Sequence, residues 1–62
     1  MSRLQPAELD AVYTSLCKTM TRVGEPASAL FLARFALLAM ERIGDATVIE
    51  RLIASAAEDV NA

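Results

Sequence analysis

Apolar residues recur in steps of three and four at the start of the chain, the spacing that places side chains on one face of an α-helix. The members of this stripe are Leu9, Val12, Tyr13, Leu16, Met20 and Val23. Pro6 suits the first helical position, and Gln5 and Glu8 have the spacing of a capping box. Gly24 favours a helix end, so the pattern predicts a helix over 6–23.

The next stretch, ASALFLARFALLAMERI, is apolar over most of its surface and predicts a second helix over 27–43. It follows a predicted turn at Gly24-Glu25-Pro26. Either Glu25 caps a helix that begins at Pro26, or Ser28 caps one that begins a turn later. Gly44 supplies the stop at its C-terminal end.

A third stripe follows Asp45, which is a favourable N-cap residue. Its members are Ile49, Leu52, Ile53, Ala56 and Val60. We therefore predict a helix over 46–59 and an all-α fold in a single domain, 1–62. The short connections favour antiparallel neighbours, either as a three-helix bundle or as an αα-hairpin with the third helix folded across it.

The second helix carries more apolar surface than two flanking helices need. On a helical wheel with Leu30 at zero, one apolar arc spans about 180° to 300° and is wide enough to face the protein's own core. That arc contains Leu32, Ala33, Ala36, Ala39, Met40 and Ile43. The remaining apolar residues lie elsewhere: Phe31, Phe35 and Leu38 at about 80° to 140°, and Leu30 and Leu37 near 0° and 340°. Arg34 and Glu41 occupy a narrow polar gap near 20° to 40°, and Arg42 falls between the two phenylalanines.

The composition of the chain supports association with another chain as the role of the surplus apolar surface on the second helix. The chain has 62 residues, of which 55% are apolar, and it has one cysteine and no histidine. A chain this short buries only ~60% of its unfolded surface, and disulfides, metals or association usually assist such a fold. An intramolecular disulfide is impossible here and a zinc site is not indicated, so we expect a dimer or another protein complex.

We expect the interface on the side of the second helix that carries Phe31, Phe35 and Leu38. Exposed together, these three would form a contiguous apolar patch of the kind that marks interaction sites. Arg34 and Arg42 are candidate anchors in that interface, because arginine is enriched at interaction hot spots. The competing interpretation is that helices one and three sandwich helix two inside a monomer.

The charge pattern indicates neither nucleic-acid nor membrane binding. The net charge is −2, and no basic patch of the kind that binds phosphates is present. The start, MSRLQPAELD, lacks the apolar core of a signal peptide. The apolar run over 29–40 contains Arg34 and is shorter than the ~20 residues that a membrane span needs. We expect a soluble, cytoplasmic protein.

Catalytic and cofactor-binding motifs are not found in the sequence. Cys17 has no histidine to activate it and lies past the middle of its helix, where the dipole opposes a thiolate, so a packing role is expected. Glu8 and Asp10 are two positions apart and do not face each other on a helix. We expect no enzyme activity, cofactor or metal.

Two segments, LQPAELDAVYTSLCKTM and GEPASALFLARFALLAMERIGD, resemble a family of bacterial helical proteins of about this length that is catalogued as a domain of unknown function. The resemblance covers nearly the whole chain and supplies no catalytic residues. It implies a small helical cytoplasmic protein whose gene lies beside genes for flavin-dependent aromatic hydroxylases and other catabolic enzymes, and hence the role of an accessory subunit.

The hypothesis that follows is a non-catalytic interaction module that self-associates, serves as a subunit of an enzyme, or does both. One alternative is a helix-turn-helix regulator built around Ile43-Gly44-Asp45-Ala46. Its recognition helix would carry Glu50, Glu58 and Asp59 against Arg51 alone, the wrong sign for reading DNA. A second alternative is a ligand-binding or enzymatic site formed only between subunits.

Overall fold

The computed structural model describes residues 3–58 and 60. These residues form three α-helices, α1 (Pro6–Val23), α2 (Glu25–Ile43) and α3 (Ala46–Ala57), and none of them lies in a β-strand. The all-α class and the three predicted helices are therefore confirmed, and α1 has the predicted bounds.

The N-terminus of α1 is capped through Glu8. Its carboxylate accepts a hydrogen bond from the backbone N–H of Gln5 at 2.8 Å, and the carbonyl of Gln5 accepts from the N–H of Leu9 at 2.9 Å. The first of these bonds satisfies a donor that the helix itself cannot pair. The spacing of Gln5 and Glu8 thus produces the expected capping contact.

Helix α2 begins two residues earlier than predicted, and neither Glu25 nor Ser28 caps it. Gly24 occupies the cap position, and the Ser28 hydroxyl donates back to the carbonyl of Gly24 at 3.0 Å. The N–H of Gly24 closes α1 by donating to the carbonyl of Met20 at 3.1 Å. One residue therefore separates α1 from α2, where the sequence had predicted a three-residue turn.

Asp45 caps α3 as predicted, because its Oδ1 accepts from the backbone N–H of Val48 at 3.1 Å. The helix ends at Ala57 instead of continuing to 59, and Glu58 has extended backbone angles. A carboxylate at this end opposes the helix dipole, which is consistent with an early stop. The last predicted helical position, 59, lies outside the described residues.

The three helices touch only near the two corners that join them. In the part of the chain that the structure describes, α1 contacts α2 and α2 contacts α3, but α1 does not contact α3. No two of these residues that are 12 or more positions apart have Cα atoms within 8 Å of each other. The closed packing expected of a bundle, or of a hairpin crossed by α3, is therefore not formed within one chain.

The length of the first connection explains the open arrangement. Two peptide steps between Val23 and Glu25 span at most ~7 Å. The axes of helices that pack side by side stand ~8–10 Å apart. A single linking residue therefore makes α1 and α2 diverge from their corner, and the radius of gyration is 13.1 Å. A compact domain of this length would have a radius of gyration of about 10.6 Å.

Candidate interaction surface

The first groove is the wedge-shaped space between α1 and α2. Close to the Gly24 corner, Leu16, Met20 and Phe31 are half-buried. Farther from the corner, Leu9 and Phe35 are exposed, Phe35 by 50% of its surface. The gradient follows from the geometry, because diverging helices cover each other's apolar stripes only where they meet.

A cavity of about 480 Å³ occupies this first groove. Its walls carry no charged side chain, and its polar side-chain groups are the hydroxyls of Tyr13, Ser15 and Thr19. The complete lining consists of Leu4, Leu9, Val12, Tyr13, Ser15, Leu16, Thr19, Phe31 and Phe35. The surface is suited to apolar side chains from another helix, or to an apolar ligand.

The second groove lies between α2 and α3 and has the same form on a smaller scale. Near the Gly44 corner, Met40, Ile43 and Ile49 are half-buried, whereas Leu52 and Ile53 farther along α3 are exposed. The cavity here has a volume of about 190 Å³. Its lining consists of Ala36, Ala39, Met40, Ile43, Ile49, Leu52, Ile53 and Ala56.

The two grooves lie on different faces of α2. Phe31 and Phe35 face the first groove, at about 100° to 140° on the wheel. The residues that face the second groove, at about 180° to 280°, are Ala36, Ala39, Met40 and Ile43. The arc that the sequence assigned to the protein's own helices thus does contact α3 along part of its length.

A third face of α2 lines neither groove. We call it the α2 ridge, and it consists of Leu30, Arg34, Leu37, Leu38 and Glu41. All five are exposed, with 64% of the surface of Leu30 and 62% of that of Leu37 and of Leu38 accessible. Large apolar side chains this exposed on one helix face make it a candidate interaction surface.

The residues that the sequence placed in an interface are divided between these surfaces. Phe31 and Phe35 lie together in the first groove, where α1 half-buries Phe31. Leu38 and Arg34 lie on the α2 ridge, and Arg42 is exposed without lining either groove. Their part in an interface stays a prediction.

The sequence did not predict that α1 contributes one wall of the first groove. The sequence places Leu9, Val12 and Tyr13 on one helix face, and each of these three residues is more than half exposed. Leu4, just before the helix, lines the same cavity. The signal for these residues was present in the stripe itself, but periodicity does not show whether the neighbouring helix lies close enough to cover it.

The chain exposes far more surface than a compact monomer of its size. Its accessible area is 5732 Å², whereas a folded monomer of 6.7 kDa exposes about 3,900 Å². None of residues 3–58 and 60 is buried. The excess is about 1,800 Å², more than the ~800 Å² that each partner buries in a standard protein–protein interface.

The chemistry-bearing residues do not assemble into a site. Cys17 is exposed, which corrects the expectation that it packs in a core. Within the described residues, no group of three or more histidine, cysteine, aspartate or glutamate side chains could hold a metal ion. None of α1, α2 and α3 has both the length and the apolar character required to cross a membrane.

Comparisons of the chain with models of protein families, with curated proteins and with solved structures find no significant match.

Proposed function

We propose that this protein is a non-catalytic helical interaction module that acts by associating with another protein chain. The observation that carries the proposal is the excess accessible area of about 1,800 Å², measured against a compact monomer. Hydrophobic burial is the main term that favours folding and association, and a single chain leaves much of it unused. Association supplies the missing burial.

Self-association accounts for this area in full. If two chains covered each other's excess surface, the interface would bury about 3,600 Å² in total, within the ~2,000–5,000 Å² of obligate homodimers. The apolar lining of both grooves and the exposed leucines of the α2 ridge support the same conclusion, because obligate interfaces resemble a domain core.

An enzyme is the other partner that we propose. The resemblance described above implies an accessory subunit of a catabolic, flavin-dependent enzyme in the cytoplasm. In that case the module would present an apolar face of α2, with Phe31, Phe35 and Leu38, to the larger protein. If the dimer uses one of the three faces of α2, another is left for the enzyme, and the two complexes are then compatible.

Light scattering on the purified chain tests the proposal. We expect the wild-type mass to exceed that of one chain at micromolar concentration, and we expect Phe35→Asp to lower it, because a carboxylate in the first groove would be buried unpaired. Thr14→Asp is the matched control, since Thr14 is exposed and does not line either groove. A strictly monomeric wild type that also retrieves no protein from its host's lysate would contradict the proposal.

A ligand-binding site formed between subunits is a second candidate, favoured by the 480 Å³ cavity of the first groove. That volume lies within the ~300–1,000 Å³ of small-molecule sites. The lining indicates an apolar molecule held by hydroxyl groups. An apolar dye whose fluorescence increases on binding tests this candidate. If Phe35→Ala abolishes the increase while the mass of the assembly stays unchanged, the result favours a ligand site over a packed interface.

A further inference from the structure

The α2 ridge has a charge pattern that is complementary to itself in one orientation only. Arg34 and Glu41 are its two charged residues, and they lie on either side of Leu37 and Leu38. The midpoint between positions 37 and 38 is also the midpoint between positions 34 and 41. Each charge therefore lies about 5 Å along the helix from the same central point.

Antiparallel pairing of two ridges brings opposite charges together. When two α2 helices pack about a two-fold axis at this midpoint, Arg34 of one copy faces Glu41 of the other, and the contact occurs twice. A parallel pair in register would instead place Arg34 against Arg34 and Glu41 against Glu41. Like charges in direct opposition disfavour that arrangement, so the charges select the antiparallel one.

The apolar residues of the ridge occupy the centre of such a contact. In the antiparallel register Leu37 of each copy faces Leu38 of the other, and both are 62% exposed in the single chain. A buried apolar centre with charges at the rim is the usual anatomy of a protein interface. A two-fold contact of this kind also closes on itself, so it gives a dimer and not an open chain of copies.

We infer that two copies of this chain associate through antiparallel α2 ridges, with Leu37 and Leu38 at the centre and two Arg34–Glu41 pairs between the copies. The inference rests on the proposed function and names the partner, a second copy, and the register. It also explains why the exposed leucines of α2 are interrupted by one basic and one acidic residue, since these two residues fix the direction of pairing.

Charge reversal tests the register. In the Arg34→Glu variant, the glutamate at position 34 of each copy faces Glu41 of the other, so like charges oppose each other at both contacts. Glu41→Arg has the same effect with arginines. We expect each single variant to raise the dissociation constant of the dimer about tenfold or more, measured by sedimentation velocity. Arg51→Glu on α3 is the matched control, since it makes the same charge change on an exposed residue outside both grooves.

The most decisive experiment restores the Arg34–Glu41 pairs in a double variant. The double variant Arg34→Glu/Glu41→Arg exchanges the two charges and recreates both pairs, so its dissociation constant should return to within about threefold of the wild-type value. An equimolar mixture of the two single variants should also associate, because every contact between unlike chains is then a complementary pair. Circular dichroism of each variant checks that the helices are retained.

The failures of the inference and of the proposed function are distinguishable. If the wild type dimerises and the single variants behave like Arg51→Glu, the register is wrong while self-association stands. If the double variant is as weak as the single variants, the antiparallel pairing is wrong in the same way. A wild type that does not self-associate, whether free or bound to a larger protein, overturns the inference. A wild type that neither self-associates nor binds another protein overturns the proposed function.

Discussion

Gly24 is the one residue between α1 and α2, at the corner of the first groove. Its backbone angles, φ 86° and ψ 158°, lie in a region that is essentially restricted to glycine. A Cβ atom there would meet Pro26 Cδ at 3.8 Å, an ordinary contact. The requirement for glycine is therefore conformational and does not arise from a lack of space.

Gly24→Ala should lower the free energy of unfolding by about 1–3 kcal/mol, the cost of holding a side-chain-bearing residue in this region. Urea denaturation at one fixed protein concentration measures it. Gly44→Asn is the control, because Gly44 has a left-handed conformation with φ 65°, which asparagine tolerates. An equal loss in both variants would show that the strained angle at Gly24 is not the cause.

The Asp45 side chain is the other residue whose contribution can be isolated. Its carboxylate caps α3 through the N–H of Val48, and removal of such a cap costs about 0.5–2 kcal/mol. We expect Asp45→Ala to lose about that much unfolding free energy and Asp45→Ser to retain most of it. A serine variant as unstable as the alanine variant would contradict a capping role, and urea denaturation distinguishes the two outcomes.

At the scale of the helices, local signals in the sequence were sufficient to predict that the three helices exist and where most of them begin and end. Pro6 and Asp45 mark the beginnings of α1 and α3, and Gly24 and Gly44 mark helix ends. The start of α2 was predicted at 27, with Pro26 as an alternative first residue, and the helix begins at Glu25. Proline is compatible with the first turn of a helix, so the segment read as a turn is part of the helix.

The grooves could not be predicted in the same way. Periodicity states which residues share a face, and the stripe of Leu9, Tyr13 and Leu16 is real. Whether a stripe is covered depends on the angle between helices, which here follows from a connection one residue long. The helical wheel predicted part of the division of α2 into separate faces. It placed Phe31 on a free surface, however, because it does not show that α1 lies beside this residue.

Lengthening the first connection tests this cause. Insertion of Gly-Ser-Gly after Gly24 should allow α1 and α2 to pack side by side and to cover the first groove internally. We expect weaker self-association, by about tenfold in the dissociation constant, measured by light scattering over a dilution series.

The same three residues inserted between Gly44 and Asp45 form the control, since the first groove and the Asp45 cap are then unchanged. If both insertions weaken association equally, the first groove makes no special contribution to association.

At the scale of the whole molecule, the chain has helices but no buried residue among positions 3–58 and 60. Most helical stability in proteins comes from packing of an apolar face, and α3, with 12 residues, has a length at which an isolated helix is marginal in water. A second copy would supply that packing, so folding and association should be one process.

Thermal unfolding should consequently depend on protein concentration. For a dimer that dissociates as it unfolds, a hundredfold increase in concentration stabilises the folded state by about 2.7 kcal/mol and should raise Tm by roughly 10 °C. Circular dichroism melts across that range measure the shift. A Tm that does not change with concentration would mean that the helices are stable in a single chain.

We propose that a second chain covers the surface left open by the first. Sedimentation equilibrium of the wild-type protein at micromolar concentrations, with helix content measured on the same samples, tests it most directly. We predict a mass of two chains and a loss of helix as the mass falls towards one chain on dilution. A fully helical protein with the mass of one chain at every concentration would contradict it.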